Sequence, residues 1–178
     1  EHRAGLVVLA NHDPVQKNAR GGRPMRMGEA RYTRGVYCHA VSRVRVRLPG
    51  PGKSFSAVAG VDSNDQTSGG RGSIVFSVNR EGQELFRSPL MREGTAPAAV
   101  AVDLRGAAEF DLNVDDAGDG IACDQADWAD ARVMLVDGGE IWLGDLPILE
   151  AAAAPIEATP PFSFHYGDQP SAAFLKDW

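Results

Sequence analysis

Between residues 41 and 48 the sequence VSRVRVRL sets Val44, Val46 and Leu48 in strict alternation with Arg43, Arg45 and Arg47. A period of two puts apolar side chains on one face of an extended strand and guanidiniums on the other, a pattern that no helix accommodates. Such a strand must bury its apolar face under a second layer. Similar short segments recur, each closed by Gly, Pro, Asp or Asn: LVVLA (6–10), ARYTRGVY (30–37), FSAVAGV (55–61), GSIVFSV (72–78), QELFRSPL (83–90), AAVAVDL (98–104), AEFDLNV (108–114), ARVMLV (131–136) and EIWLGDL (140–146). With no helical period between them, the chain predicts an all-β antiparallel sandwich or barrel.

A chain of 178 residues, 43% of them hydrophobic, can bury one full core without metals or disulfides to rescue it. Its longest apolar runs, LVVLA and AAAAPI (151–156), fall far short of the ~20 residues a membrane helix requires, so no membrane partner is expected. Residues 1–148 form the expected sandwich domain, and 149–161 are Ala- and Pro-rich and read as a linker. Residues 162–178 read as the truncated start of a following domain: PFSFHYG suits a strand, and Ser171 suits the cap of a helix over SAAFLKDW.

Several familiar chemistries fail on spacing. The GKS at Gly52–Ser54 lacks the Gly that a phosphate loop needs five residues earlier, where Arg47 stands, and a strand follows where a helix is required. The DDAGDG run from Asp115 puts Ala117 and Ala126 at positions where an EF-hand calcium loop needs oxygen ligands. The Arg43, Arg45, Arg47 row has few interleaved aromatics and sits in an acidic chain, so no nucleic-acid partner is expected. Neither a GxSxG elbow nor an HExxH occurs, and adjacent Cys38 and His39 on a strand point to opposite faces, so no catalysis is expected.

Charge is segregated along the chain. Residues 1–53 hold 11 basic and 3 acidic side chains, leaving 7 basic and 21 acidic for the remainder. Seven Asp and no Lys or Arg lie between Asp111 and Asp130, a repulsion that a divalent cation, the arginines of the first third or plain solvation would relieve. Within it, DQADWADA flanks Trp128 with Asp124, Asp127 and Asp130, an expensive sequence for a loop without a task. The stretch GVDSNDQTSGGRGS (60–73) is a long inter-strand loop rich in side-chain oxygens, suited to a cation or a polyol.

Together RGVYCHA (34–40), FSAVAGVDSND (55–65), GRGSIVFSV (70–78), GQELFRSPLM (82–91) and DDAGDGIACDQADWADA (115–131) resemble one family, the NPCBM domains, which overlap carbohydrate-binding module family 51. The resemblance covers about residues 20–146, with the motifs in order. It implies a jelly-roll β-sandwich of the galactose-binding-domain-like class. It also implies a non-catalytic module that binds a galactose-type glycan beside a downstream glycoside hydrolase domain in a secreted bacterial protein. The alternative is an accessory sandwich for structure or protein interaction without a working sugar site. Many relatives carry Thr where Cys38 stands and His where Gln125 stands, and both positions border the implied site.

A pyranose needs convergent carboxylate, amide, imidazole or guanidinium groups and an aromatic surface for its C–H face. His39, Asn64, Arg71, Asp124, Gln125 and Asp127 are the polar candidates and Trp128 is the candidate platform. Some relatives carry structural calcium, which is expected here among Asp62, Asp65, Asp115, Asp116 and Asp119. Cys38 and Cys123 fall in two motifs expected to converge, and a disulfide between them is the expectation.

Overall fold

The alternating segment becomes a strand with its arginines out and its valines in. The computed structural model describes residues 3–149, together with the antiparallel pairing of His165–Tyr166 with Gln169–Pro170. In chain order the strands are β1 (Gly5–Ala10), β2 (Gln16–Lys17), β3 (Met25–Met27), β4 (Ala30–Tyr32), β5 (Gly35–His39), β6 (Ser42–Arg47) and β7 (Gly52–Val61). They continue as β8 (Val75–Arg80), β9 (Gln83–Arg87), β10 (Ala98–Asp103), β11 (Glu109–Asp115), β12 (Gln125–Leu135), β13 (Glu140–Trp142) and β14 (Ile148–Leu149), with a 3-10 turn at Leu143–Asp145.

Two sheets face each other. One runs β14-β1-β6-β11-β8-β9 and the other β10-β7-β12-β5-β2, with β13 also on β12. The β3–β4 hairpin stands outside both. Inward residues of the first sheet, such as Val44, Val46, Phe76 and Leu112, share one core with Phe55, Ala59, Ala126, Trp128 and Val133 of the second. Phe76 meets Trp128 edge to face at 4.9 Å, and Phe55 meets Phe110 at 5.1 Å, joining the layers through aromatic pairs. The fold is the predicted jelly-roll β-sandwich. The GKS tripeptide lies within β7 or, for Gly52, at its first residue, as the failed phosphate-loop spacing requires.

The charge split closes across one strand pair. Antiparallel register sets Arg45 opposite Asp111 and Arg47 opposite Glu109. Arg45 donates to both Asp111 carboxylate oxygens, at 2.8 and 3.1 Å, and Arg47 lies 3.0 Å from Glu109. The basic first third therefore lies against acidic later strands. Strand pairing carries the sandwich to Leu149, through β14 on β1. The rest of the linker and the helix from Ser171 lie outside the described residues.

Candidate functional site

The site is built on the outer face of the second sheet. In β12, Ala126 and Trp128 turn into the core, so Gln125 and Asp127 turn outward. Register places His39 of β5 opposite Gln125, and Tyr37 opposite Asp127. Gly60 of β7 flanks Asp127 on its other side. The β3–β4 hairpin folds over this face with Met25 and Met27 buried. A Cβ on Gly60 would stand 2.6 Å from Met27 Sδ, so a glycine there is what lets the hairpin close down.

Asp62, just past β7, is the hub. Its backbone N–H donates to Gln125 O at 2.9 Å, its Oδ1 accepts from Arg26 N at 3.1 Å, and its Oδ2 accepts from Asn64 Nδ2 at 2.7 Å. Ser63 N donates to Arg26 O at 2.7 Å and Ser63 Oγ accepts from Gly28 N at 2.8 Å, stitching the loop to the hairpin. Asn64 Oδ1 accepts from Gln66 N at 2.9 Å and Thr67 Oγ1 donates to Asp62 O at 2.6 Å, which fixes the turn. Asn64 Nδ2 also donates to Gln125 Oε1 at 2.7 Å, and Gln125 Nε2 donates to Gln66 Oε1. Arg20 closes the ring: it donates to Gln66 Oε1 at 3.0 Å, stands 3.7 Å from Asp62 Oδ2 and lies over the Tyr37 ring at 5.7 Å.

Over this network opens a cavity of about 530 Å³, lined by Arg20, Arg23, Pro24, Arg26 and Arg31 on one side and by residues 62–66 on the other. Its size suits a sugar, and its guanidiniums, amides and hydroxyl supply fixed donors and acceptors with Pro24 as a small apolar surface. Beneath it Asp127 is fully buried, its carboxyl beside that of Asp62. Burial first, and then the neighbouring Asp62 charge, hold its carboxyl well above the usual range. Burial also pushes the Tyr37 hydroxyl up to about 12, against the opposing pull of Arg20.

Of the predicted sugar-binding residues, Asn64 lines this cavity and the buried Gln125 is bonded to it from behind. Arg71 is exposed on the same loop, its guanidinium 3.5 Å from Gln66 O, but it does not line the cavity. His39 is buried opposite Gln125 and does not line the cavity, with Nδ1 2.9 Å from Ala40 O and its ring 4.7 Å from that of His12. Asp124 accepts from Ser73 N at 2.8 Å and holds a loop in place; burial raises its carboxyl despite that bond. Asp127 lies under the floor. Trp128 is no platform: it is completely buried between the sheets, because adjacent strand residues face opposite ways and Asp127 takes the outward position. The DQADWADA segment is likewise strand from Gln125 onward, not a loop.

The five aspartates expected around calcium are not brought together. Asp62 is committed to the hub and Asp65 sits on the cavity rim, whereas Asp119 accepts from Ser73 Oγ at 2.7 Å, and Asp115 and Asp116 line a separate shallow cavity with Arg87 and Leu90. Among the described residues no group of three or more His, Cys, Asp or Glu could hold a metal ion. The donor set does not fit the cation. The expected disulfide is also absent: Cys38 and Cys123 are free thiols. Cys38 points into the inter-sheet core, where burial pushes its thiol up to about 12, while Cys123 sits at a left-handed turn with φ 64° before β12 and packs its carbonyl on Gly72.

Sequence reasoning missed Arg20, Arg23, Pro24, Arg26, Arg31 and the cavity role of Gln66. The excess of basic residues in the first 53 positions is the signal that could have found the arginines.

Comparisons with known proteins place the chain in a family and agree with its fold. The model of the NPCBM/NEW2 domain family matches residues 6–134. Over 169 residues the chain is 30% identical to a Renibacterium salmoninarum protein named "Putative endo-alpha-N-acetylgalactosaminidase", covering 90% of this chain and 10% of that protein. The chain thus spans about a tenth of the curated relative it matches. Among solved structures it is similar to CBM51 from Clostridium perfringens GH95 in complex with methyl-galactose, with 28% identity, 71% of this chain and 91% of that one covered, and a TM-score of 0.63. It is also similar to the CBM51-2 and INT domains of Clostridium perfringens ZmpB, with CBM51-2 in complex with GlcNAc, at 26% identity over 71% of this chain and 28% of that one, with a TM-score of 0.64.

Proposed function

The chain belongs to the NPCBM/NEW2 family, and from that membership we propose that it is a non-catalytic carbohydrate-binding module that holds a galactose-type glycan in the cavity between the β3–β4 hairpin and the 62–66 loop. The observation that carries this reading is the closed network of Arg20, Asp62, Asn64, Gln66 and Gln125 around a sugar-sized space. A bound pyranose presents hydroxyls in fixed directions, and side chains already locked by one another lose little freedom on meeting them. Asn64 and Gln66 supply contacts to hydroxyls, Arg20 adds a donor, and the buried Asp62 and Gln125 act from behind by orienting them.

The complexes of similar modules with methyl-galactose and GlcNAc support a hexose or N-acetylhexosamine ligand. The relative named for endo-alpha-N-acetylgalactosaminidase activity supports a glycosidase as the larger protein in which the module works, and an extracellular bacterial setting fits both. No helix among the described residues is long and apolar enough to cross a membrane. A shallow, wet site binds a single sugar weakly, and tethering to a catalytic domain turns weak contacts into useful localisation. A glycan array tests the reading: galactosyl and N-acetylgalactosaminyl glycans should be retained over glucosyl and mannosyl ones. Retention of none of them would favour an accessory domain without a sugar site.

A further inference from the structure

The two walls of the cavity are unlike. Residues 62–66 offer amides and carboxylates, whereas the facing wall carries Arg20, Arg23, Arg26 and Arg31. In a chain of net charge -6, four guanidiniums around one space are a local reversal of sign. Two of them are committed. Arg20 serves Asp62 and Gln66, and Arg26 Nε donates to Gly28 O at 2.6 Å while its NH2 group lies 3.9 Å from Glu29. Arg23 and Arg31 have no side-chain hydrogen bond or ion pair among the described residues.

Strand register makes this costly. Arg31 stands directly opposite Arg26 in the β3–β4 hairpin, and Arg23 is the bridge partner of Arg20. Like charges directly opposite each other on a strand pair repel. The hairpin cannot turn to separate them, since Met25 and Met27 bind its other face to the sheet. On the acidic side Asp62 is matched by Arg20, and Glu93, behind the lining, accepts from Ser63 Oγ and Gly70 N, which leaves Asp65 as the unmatched carboxylate among the lining residues.

We propose that the module selects acidic glycans. A carboxylate or sulfate carried on or next to the galactose-type sugar is gripped by Arg23 and Arg31, while Asn64 and Gln66 take the hydroxyls. Guanidinium forks suit both groups, because each presents two or more coplanar or tetrahedral oxygens to paired N–H donors. This inference rests on the galactose-type reading of the same cavity.

Calorimetric titration of the 178-residue chain with lactose, 3′-sialyllactose and lactose 3′-sulfate, at low and physiological salt, tests it. At low salt at least one acidic sugar should bind about fivefold more tightly than lactose, with the gap narrowing as salt rises. The sialyl and sulfate arms then identify which anion is read. In the Arg23→Gln/Arg31→Gln protein the ratio of acidic to neutral affinity should fall to near one. If lactose binds and neither acidic sugar binds more tightly, or if the double variant keeps the ratio, acidic selection is wrong and the galactose-type reading stands. If none of the three binds, both fail.

Discussion

Asn64 Nδ2 donates to Gln125 Oε1 at 2.7 Å, across 61 residues of sequence, and thereby ties the 62–67 turn to the start of β12. The same amide donates to Asp62 Oδ2 at 2.7 Å, so one side chain holds the carboxylate and the glutamine that shape the cavity.

Replacing Asn64 should therefore uncouple the site with modest damage to the fold. Asn64→Ala leaves Asp62 and Gln125 each short of a partner, which is expected to cost about 1–2 kcal/mol of stability. Glycan affinity should drop tenfold or more, equivalent to ~1.4 kcal/mol. Urea unfolding alongside calorimetric titration measures the two losses separately, and an unchanged affinity would remove Asn64 from the site.

Trp128 should behave as core and not as ligand surface. Trp128→Ala is expected to cost about 3–5 kcal/mol, since the ring packs on Phe55 and Phe76 with no solvent exposure. Trp128→Phe keeps an aromatic ring in the cluster and should retain glycan binding. Loss of binding in a well-folded Trp128→Phe protein would contradict the burial argument.

Asp127 sets a pH dependence whose sign follows from its raised carboxyl. The unfolded chain releases that proton near pH ~3.9, whereas the folded chain holds it to a much higher pH. Between the two values the folded state binds more protons, so the contribution is fully present below about pH 4 and is lost as pH rises, with a limiting slope of ~1.4 kcal/mol per unit. Asp127→Asn removes the titration. Its stability relative to the parent should improve as pH rises above about 4 in urea midpoints, and a flat difference would show that Asp127 is ionised in the fold.

The two thiols should differ in reactivity. Burial raises Cys38 to about 12 and shields it, whereas Cys123 is partly exposed. A thiol reagent near pH 8 should modify Cys123 first in the native protein, and two thiols should titrate after denaturation without reductant. Finding none would restore the disulfide.

A strand is legible in the sequence in proportion to its length. In β6 and the Leu48 that follows it, the alternation of Val44, Val46 and Leu48 with arginines is long enough to mark both the strand and its faces, and the fold class follows. β3 and β4 are three residues each, too short for any period to show, and so the hairpin that roofs the cavity was illegible. The Asp127–Trp128 assignment failed differently. Strand parity forbids both neighbours from facing a ligand, and the alternation in QADWADA already carried that information, but the aspartates drew attention to charge instead of period. The expected calcium cluster joined aspartates of two motifs without their strand order, and β7, which precedes Asp62, and β11, which ends at Asp115, belong to different sheets.

Glycan binding at this cavity has a location as well as an affinity, and amide chemical shifts report both. In a titration of the isotopically labelled chain with methyl β-galactoside, the side-chain NH2 signals of Asn64 and Gln66 should move together and saturate, with Gln125 following more weakly and Trp128 Nε1–H staying in place. Saturable shifts confined to residues elsewhere on the sandwich, or no shifts with any galactosyl or N-acetylgalactosaminyl ligand, would contradict the account.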